Sequence, residues 1–378
     1  MKKPIYLDSA ATTTLDSRVA DAMNTLMREE FGNPSSIHSY GRLMKVKVEG
    51  VRNLVAEKLN VQPAEIFFTS GATEAINTIF NGAVLSLGVE RIITTKIEHS
   101  AVLSSVEFHA RTNNVQLDFV KLNELGQVDL EHLKSLLKEN TKKTLVSLMH
   151  ANNELGNLLP IKKVSEICRT HQALFFSDTV QSMGKFKLDF SGQLLDFAVS
   201  SAHKYHGPKG VGFMYINEDL KIDPYIIGGG QERNMRAGTE NVYGIVGLGR
   251  ALELAYEEMS KNREKILGLK QYLMNKLKLE LPNICFNGNT DGLHTILNIG
   301  IPKNEHNDLI LMNMDIAGIA VSGGSACGSG SLHVSHVISA LGLADEISAI
   351  RVSFSKHTTQ EELDYFVQVL KKKSNGLI

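Results

Sequence analysis

The sequence predicts an α/β protein, with a large domain on a mostly parallel seven-stranded sheet and a smaller α+β domain after it. Three observations carry that prediction. At 378 residues the chain is longer than a single hydrophobic core usually spans. From about Ile66 onward, short β-type runs alternate with segments of helical period, the rhythm of strands joined by crossover helices. Near residue 255 that rhythm stops, and strands and helices restart on a smaller scale.

The strand candidates are IFFT (66–69), RIITT (91–95), VQLDFV (115–120), TLVSLMH (144–150), ALFFSD (173–178), LDFAVSS (195–201) and GVGFMYI (210–216). Between several of them lie helices. Leu130, Leu133, Leu136 and Leu137 share one stripe between Asp129 and Glu139, and Val164, Ile167 and Cys168 do the same after Pro160. A long helical pattern from about Asn241 to Leu281, interrupted near Lys261, carries the chain out of the sheet domain. The smaller unit reads as TILNIG (295–300), a helix near His306 to Asp315, GIAVS (318–322), a helix near Val334 to Leu341, AIRVSFS (349–355) and a closing helix from Thr359.

Hydrophobic residues are 43% of the chain, charged ones 21%, and the formal net charge is -1. That balance describes an ordinary soluble globular protein with no pull toward nucleic acid or an anionic membrane. The opening MKKPIYLDSAATTT holds too short an apolar run for a secretory signal, and no stretch nears the ~18 apolar residues of a membrane span, so a cytoplasmic location is expected. Cys168, Cys285 and Cys327 lie far apart without CxxC spacing, which argues against a disulfide framework or a zinc knuckle; no resident metal is expected, and Cys327 is at most a transient ligand of a cluster.

Chemistry concentrates where strand candidates end. FFTSGATEAINTIF (67–80) passes from an apolar strand into a helix through Ser70, Gly71, Ala72 and Thr73, a junction whose free N–H groups and helix dipole suit a phosphate. Ordinary N-capping by Ser70 or Thr73 explains the same residues. Asp178 ends ALFFSD and faces the crevice where α/β proteins bind ligands, or else caps a helix. Lys204, in SSAHKYHGPKGVG beside Ser201 and His203, is an amine at a strand end, the type whose pKa falls far enough to form a Schiff base. A phosphate cradle, an aldehyde-binding lysine and a carboxylate for a pyridinium nitrogen are together what pyridoxal phosphate requires.

His99 sits between a strand and a helix in TTKIEHSAVL, suited to stacking on a cofactor or carrying a proton, though a lone histidine is more often structural. Arg351 lies inside the apolar run AIRVSFS and needs a carboxylate, either internal or from a substrate. Cys327 lies in the Gly/Ser-rich VSGGSACGSGSLHVSHVISALG, the reverse of the burial expected for a structural cysteine, whereas Cys168 and Cys285 sit on apolar stripes and look structural.

With these residues in view, the chain resembles the cysteine desulfurases of the fold-type-I pyridoxal-phosphate enzymes (class-V aminotransferase family), in the group with the long active-site loop that supplies iron–sulfur cluster assembly. The resemblance runs nearly end to end, through YLDSAATT, GNPSSIH, TSGATEAIN, EHSAV, HANNELG, SDTVQSMGK, SAHKYHGPKGVG, GGGQERNMRAGTEN, SGGSACGSGSL and IRVSFSKHTT. It implies a cofactor-binding domain over 16–255, and a small domain made of 1–15 and 256–378 that carries the cysteine loop.

It also implies pyridoxal 5'-phosphate as cofactor. Lys204 would be the Schiff-base lysine, Asp178 the partner of the ring nitrogen, His99 the stacked ring, and Asn153 and Gln181 contacts near the ring hydroxyl. Phosphate contacts would come from Ala72, Thr73, Ser201 and His203, and from Thr239 of a neighbouring subunit in a homodimer. Asn33 and Arg351 would hold the carboxylate of L-cysteine, and Cys327 would take its sulfur as a persulfide for a sulfur-acceptor or iron–sulfur scaffold protein, with alanine released.

Thr179 stands where the family usually has Ala, and Ser9 where Asn is usual; neither removes a charge. The ending KKKSNGLI lacks the tail some relatives use to dock a scaffold, which leaves the partner open. A related aminotransferase or lyase would not need Cys327, and a non-catalytic scaffold would need none of Lys204, Asp178, His99 and Cys327.

Overall fold

The computed structural model describes residues 4–138, 141–304, 309–324 and 335–374. In chain order these form β1 (Ile5–Tyr6), α1 (Ser17–Glu29), α2 (Ser39–Leu59), β2 (Ile66–Thr69), α3 (Ala72–Leu85), β3 (Arg91–Thr94), α4 (Ser100–Thr112) and β4 (Gln116–Phe119). Next come α5 (Leu130–Lys138), β5 (Thr144–Ser147), α6 (Ile161–Thr170), β6 (Leu174–Asp178), β7 (Phe197–Ser201), β8 (Gly212–Ile216), α7 (Val242–Glu257) and α8 (Met259–Glu280). The remainder is β9 (Cys285–Asn287), β10 (Ile296–Pro302), α9 (Ile310–Ile316), β11 (Ile319–Ala320), α10 (His336–Ala340), β12 (Ile347–Ser353) and α11 (Gln360–Ser374).

All seven expected strands of the large sheet form, in the order β2-β8-β7-β6-β5-β3-β4. Every pairing is parallel except those of β8, which runs antiparallel to both β2 and β7. β2, β3, β5, β7 and β8 are buried along their whole length, which is why they read as continuous apolar runs rather than as alternating ones. Gly212 makes the placement of β8 possible. A Cβ there would lie 2.3 Å from the Ser200 carbonyl oxygen and 2.9 Å from Gly71 Cα.

Helices cover both faces of this sheet. Val19, Met44, Val48, Val164 and Leu248, from α1, α2, α6 and α7, pack on one side with Phe68 and Val146. Ile76, Ile79 and Phe80 of α3 and Val102 and Val106 of α4 pack on the other with Ile92 and Phe197. A separate core joins Ile5 and Leu7 to Leu273 and Leu277 of α8, Leu297 and Ile299 of β10, Val352 of β12 and Phe366 of α11. β12, β10 and β9 form an antiparallel sheet there, while β1 pairs in parallel with β11 across most of the sequence, Ile5 opposite Ile319.

Some expectations need correction. The strand expected over 144–150 stops at Ser147, because Met149 gives its N–H to the Glu98 carboxylate (2.8 Å). The long helical pattern breaks at Glu258 rather than near Lys261. Cys168 is buried, and burial pushes its thiol pKa up, as a structural cysteine requires. Cys285 is not in a core: it is exposed on the edge strand β9, beside the Gly300 carbonyl. Cys327 and the first part of the helix expected near His306 lie outside the described residues.

Candidate active site

Because β3, β5, β6, β7 and β2 all point the same way, their carboxyl ends meet along one edge of the sheet. A cavity of about 490 Å³ lies there. Ala72, Thr73, His99, Asn153, Asp178, Gln181, Ser201, His203, Lys204 and Arg351 all line it, so the fold gathers ten of the residues singled out above into one place.

Asp178, the last residue of β6, is 6% exposed, and its Oδ1 accepts the Val180 N–H (2.9 Å). Burial raises its pKa, an effect that the nearby His99 and Lys204 partly offset. Among the described residues it has no ion-pair partner. A cation placed against it is what such a carboxylate lacks, and a protonated pyridine nitrogen meets that need.

His99 does two jobs at once. Its Nδ1 caps α4 by accepting the Ala101 N–H (3.1 Å), which leaves the proton of the neutral ring on Nε2, and burial lowers its pKa. At the start of α3 the capping alternative fails. Gly71 is the N-cap, at φ 155°, and no side chain caps the helix, so the N–H groups of the first turn are left to a ligand. His203 adds an imidazole whose pKa burial holds down at about 4, with Nδ1 3.1 Å from the Thr12 hydroxyl.

Lys204 follows β7 in a short 3-10 turn, and its Nζ donates to the Ala10 and Ala11 carbonyls at 2.7 and 2.8 Å. Those carbonyls belong to the strap leading from β1 into the large domain. Gln181 donates to the Ala10 carbonyl as well (2.9 Å), while its own Oε1 accepts from Lys185 (3.1 Å). Thr13 pins the same strap by donating through both N–H and hydroxyl to the His203 carbonyl (2.9 Å each).

Arg351 enters from β12 with its side chain 2% exposed. Its guanidinium donates to Asp8 Oδ1 (2.7 Å) and to the Asn153 carbonyl (2.9 Å), while Nε has no hydrogen-bond acceptor among the described residues. The carboxylate required by a buried arginine is therefore internal here, and one donor remains spare.

Two expected residues stand apart. Asn33 is exposed between α1 and α2, its Oδ1 accepting the Ser35 N–H (2.9 Å), and is not among the residues lining the cavity. Thr239 is exposed and borders a different recess of about 200 Å³, with Ser70 and Arg236.

Sequence reasoning missed Asp8 and Glu98. Glu98 is sealed from solvent and its pKa is pushed up to about 8, mainly by burial. For Asp8 the signal was present, since it directly follows the apolar Ile5, Tyr6 and Leu7; Glu98 had none, since only Ile97 separates it from Lys96.

A family model of aminotransferase class-V matches residues 5–366. The chain belongs to this family. Enzymes of the family depend on pyridoxal phosphate, and Asp178, without an ion pair among the described residues, the start of α3 and Lys204 all fit that group. Among its relatives, a cysteine desulfurase IscS from Dictyoglomus turgidum is 40% identical over 98% of this chain and 95% of that protein. The X-ray structure of a NifS-like protein from Rickettsia africae superposes with a TM-score of 0.89, at 34% identity over 98% of this chain and 99% of the other. A structure titled SspA in complex with cysteine matches at TM-score 0.80 and 27% identity, over 94% of this chain and 100% of that one.

Proposed function

We propose that this class-V enzyme is a cysteine desulfurase, converting L-cysteine to L-alanine and passing the sulfur to Cys327 for iron–sulfur cluster assembly or other sulfur delivery. The observation that carries the reading is Asp178, a buried carboxylate without an ion pair among the described residues, in a cavity shared with Lys204 and an uncapped helix. Pyridoxal phosphate, when bound, supplies a sink for the electrons of the bond broken at Cα.

With that group bound, Asp178 would hold the ring-nitrogen proton and His99 would lie against the ring. Gln181 and Asn153 would meet the ring hydroxyl, and the N–H groups of Ala72 and Thr73, with Ser201 and His203, would bind the phosphate. Lys204 would anchor the cofactor, and its amine would serve as the base that moves the proton at Cα. Arg351 orients the substrate carboxylate, which joins or displaces Asp8. The Cys327 thiolate attacks the substrate sulfur; an S–S bond forms, the C–S bond breaks, and the three-carbon remainder leaves as alanine. Gly324 and Ser335, the described residues on either side of this segment, approach each other beside Glu154, next to Asn153.

We take residues 16–255 as the cofactor-binding domain, and 1–15 with 256–378 as the small one. The packing of α8 against β10 and α11 supports that boundary. The exposed Phe31, Ile37, Tyr40 and Val46 support a homodimer, in which Thr239 reaches the other subunit's phosphate. Among the described residues no helix is long and apolar enough to cross a membrane, and a cytoplasmic enzyme serving a sulfur-acceptor protein is the setting we infer.

The test is to incubate the purified protein with L-cysteine and follow alanine, then to weigh its cysteine peptides. Alanine should form, and ~32 Da should appear on the Cys327 peptide and not on those of Cys168 or Cys285. Full turnover by Cys327→Ser, or sulfur on another cysteine, would overturn the assignment.

A further inference from the structure

Glu74 stands in the first turn of α3 and borders the cavity at the end where Ala72 and Thr73 open onto it. Its Oε2 accepts the Ser70 N–H (3.0 Å). A carboxylate at a helix start favours the helix, yet it repels a phosphate dianion brought to the same N–H groups.

Arg236 answers that conflict. Its Nε donates to Glu74 Oε1 (2.9 Å) and its Nη2 to Oε2 (3.3 Å), a two-point fork on a side chain only 10% exposed. Burial alone pushes the Glu74 pKa up, and the hydrogen bonds from Arg236 and Ser70 more than reverse this, so the carboxyl stays charged and paired.

The loop that delivers Arg236 is itself braced. Glu232, Arg233 and Asn234 take successive left-handed conformations, φ 46, 58 and 69°, which side chains other than glycine rarely hold. Glu232 is kept there by two bonds from the buried Arg52 (2.8 and 2.9 Å) and one from the Phe68 N–H of β2 (2.7 Å). The strand feeding the α3 junction and the loop bearing Arg236 are thus fastened to each other.

Resting on the reading of this cavity as a pyridoxal-phosphate site, we propose that Arg236 is a positioning residue that cancels the Glu74 charge, so that the start of α3 can accept the cofactor's phosphate. Arg236 acts through Glu74 and does not itself touch the ligand.

Affinity of the full chain, depleted of cofactor, is measured for pyridoxal 5'-phosphate and for pyridoxal, which lacks the phosphate. Arg236→Gln should weaken the phosphate form at least about tenfold and leave pyridoxal unchanged, the effect of one uncompensated charge near a dianion. Arg236→Lys should keep most of the wild-type ratio, and Glu74→Gln combined with Arg236→Gln should restore it. A loosened loop weakens both ligands alike; that result, or a double variant as poor as Arg236→Gln, overturns the proposal. A wild-type chain that prefers neither ligand overturns the phosphate reading itself, whereas a normal wild-type ratio unchanged in Arg236→Gln overturns this proposal alone.

Discussion

Asp178 and Arg351 are both charged, both sealed from solvent and both on the wall of one cavity, yet they are satisfied in opposite ways. Asp178, on the large sheet, has a backbone N–H at 2.9 Å and no ion pair among the described residues. Arg351, on the small sheet, already holds Asp8 at 2.7 Å. The contrast matches two kinds of guest. A resident cofactor can supply the missing charge permanently, so the protein need not. A substrate leaves in every cycle, and a guanidinium stripped of its partner each time would be a buried unpaired charge; Asp8 spares it that.

If the sheet wall serves the cofactor and the small-domain wall the substrate, substitutions on the two should separate in steady-state kinetics. The largest effect belongs to Asp178→Asn, which should lower kcat by ~10²- to 10³-fold with little change in KM for cysteine. A variant in which KM moves instead would break the contrast. Arg351→Lys should do the reverse, raising KM for cysteine about 10- to 100-fold while the visible absorption of the bound cofactor stays the same, since lysine offers no fork. An unaltered cysteine dependence would make Arg351 a structural partner of Asp8 alone.

Glu98, next to His99 but outside the cavity lining, sharpens the comparison as a buried carboxyl with a folded-state pKa pushed up to about 8. Between the ordinary glutamate range and pH 8 the folded chain keeps a proton that the unfolded chain has lost, so stability falls as pH rises through that window. Glu98→Gln should remove this slope. Thermal unfolding should show the variant ahead by an amount on the order of 4 kcal/mol at pH 8, and no such gain at pH 4. Equal gains at both values would mean that packing, and not the proton, is responsible. The smallest effect is expected from Thr239→Ala, outside either wall: cofactor loss on dialysis should quicken several-fold, about the weight of one hydrogen bond. A monomeric protein that keeps its cofactor fully would remove Thr239 from the site.

What could be read beforehand follows the same division. Asp178, Lys204, His99 and the α3 junction lie just past strands made of continuous apolar runs, and such runs announce where a strand ends and its ligand edge begins. Arg351 stood out as a charge inside an apolar run, but whether its partner was internal or a ligand depended on a residue 343 positions away. The carbonyls of Ala10 and Ala11 that hold Lys204 had no signal, because backbone groups are the same in every residue. α1 and α2, ahead of Ile66, went unassigned. Cys285 misled because its apolar neighbours suggested a core, whereas it lies on the last strand of a small sheet, where one side is open.

The pairing of β1 with β11 also sets an order for assembly on the ribosome. Ile5 emerges about 300 residues ahead of its partner Ile319. At roughly 5–20 residues per second, that strand stays without its neighbour for about 15–60 s while the large sheet is completed behind it. The strap that carries Ala10 and Ala11 to Lys204 gains its second anchor, at β1, only then. A nascent chain should therefore hold a folded large sheet well before it can retain its cofactor, and translation slowed near residue 319 should prolong that interval rather than damage the sheet.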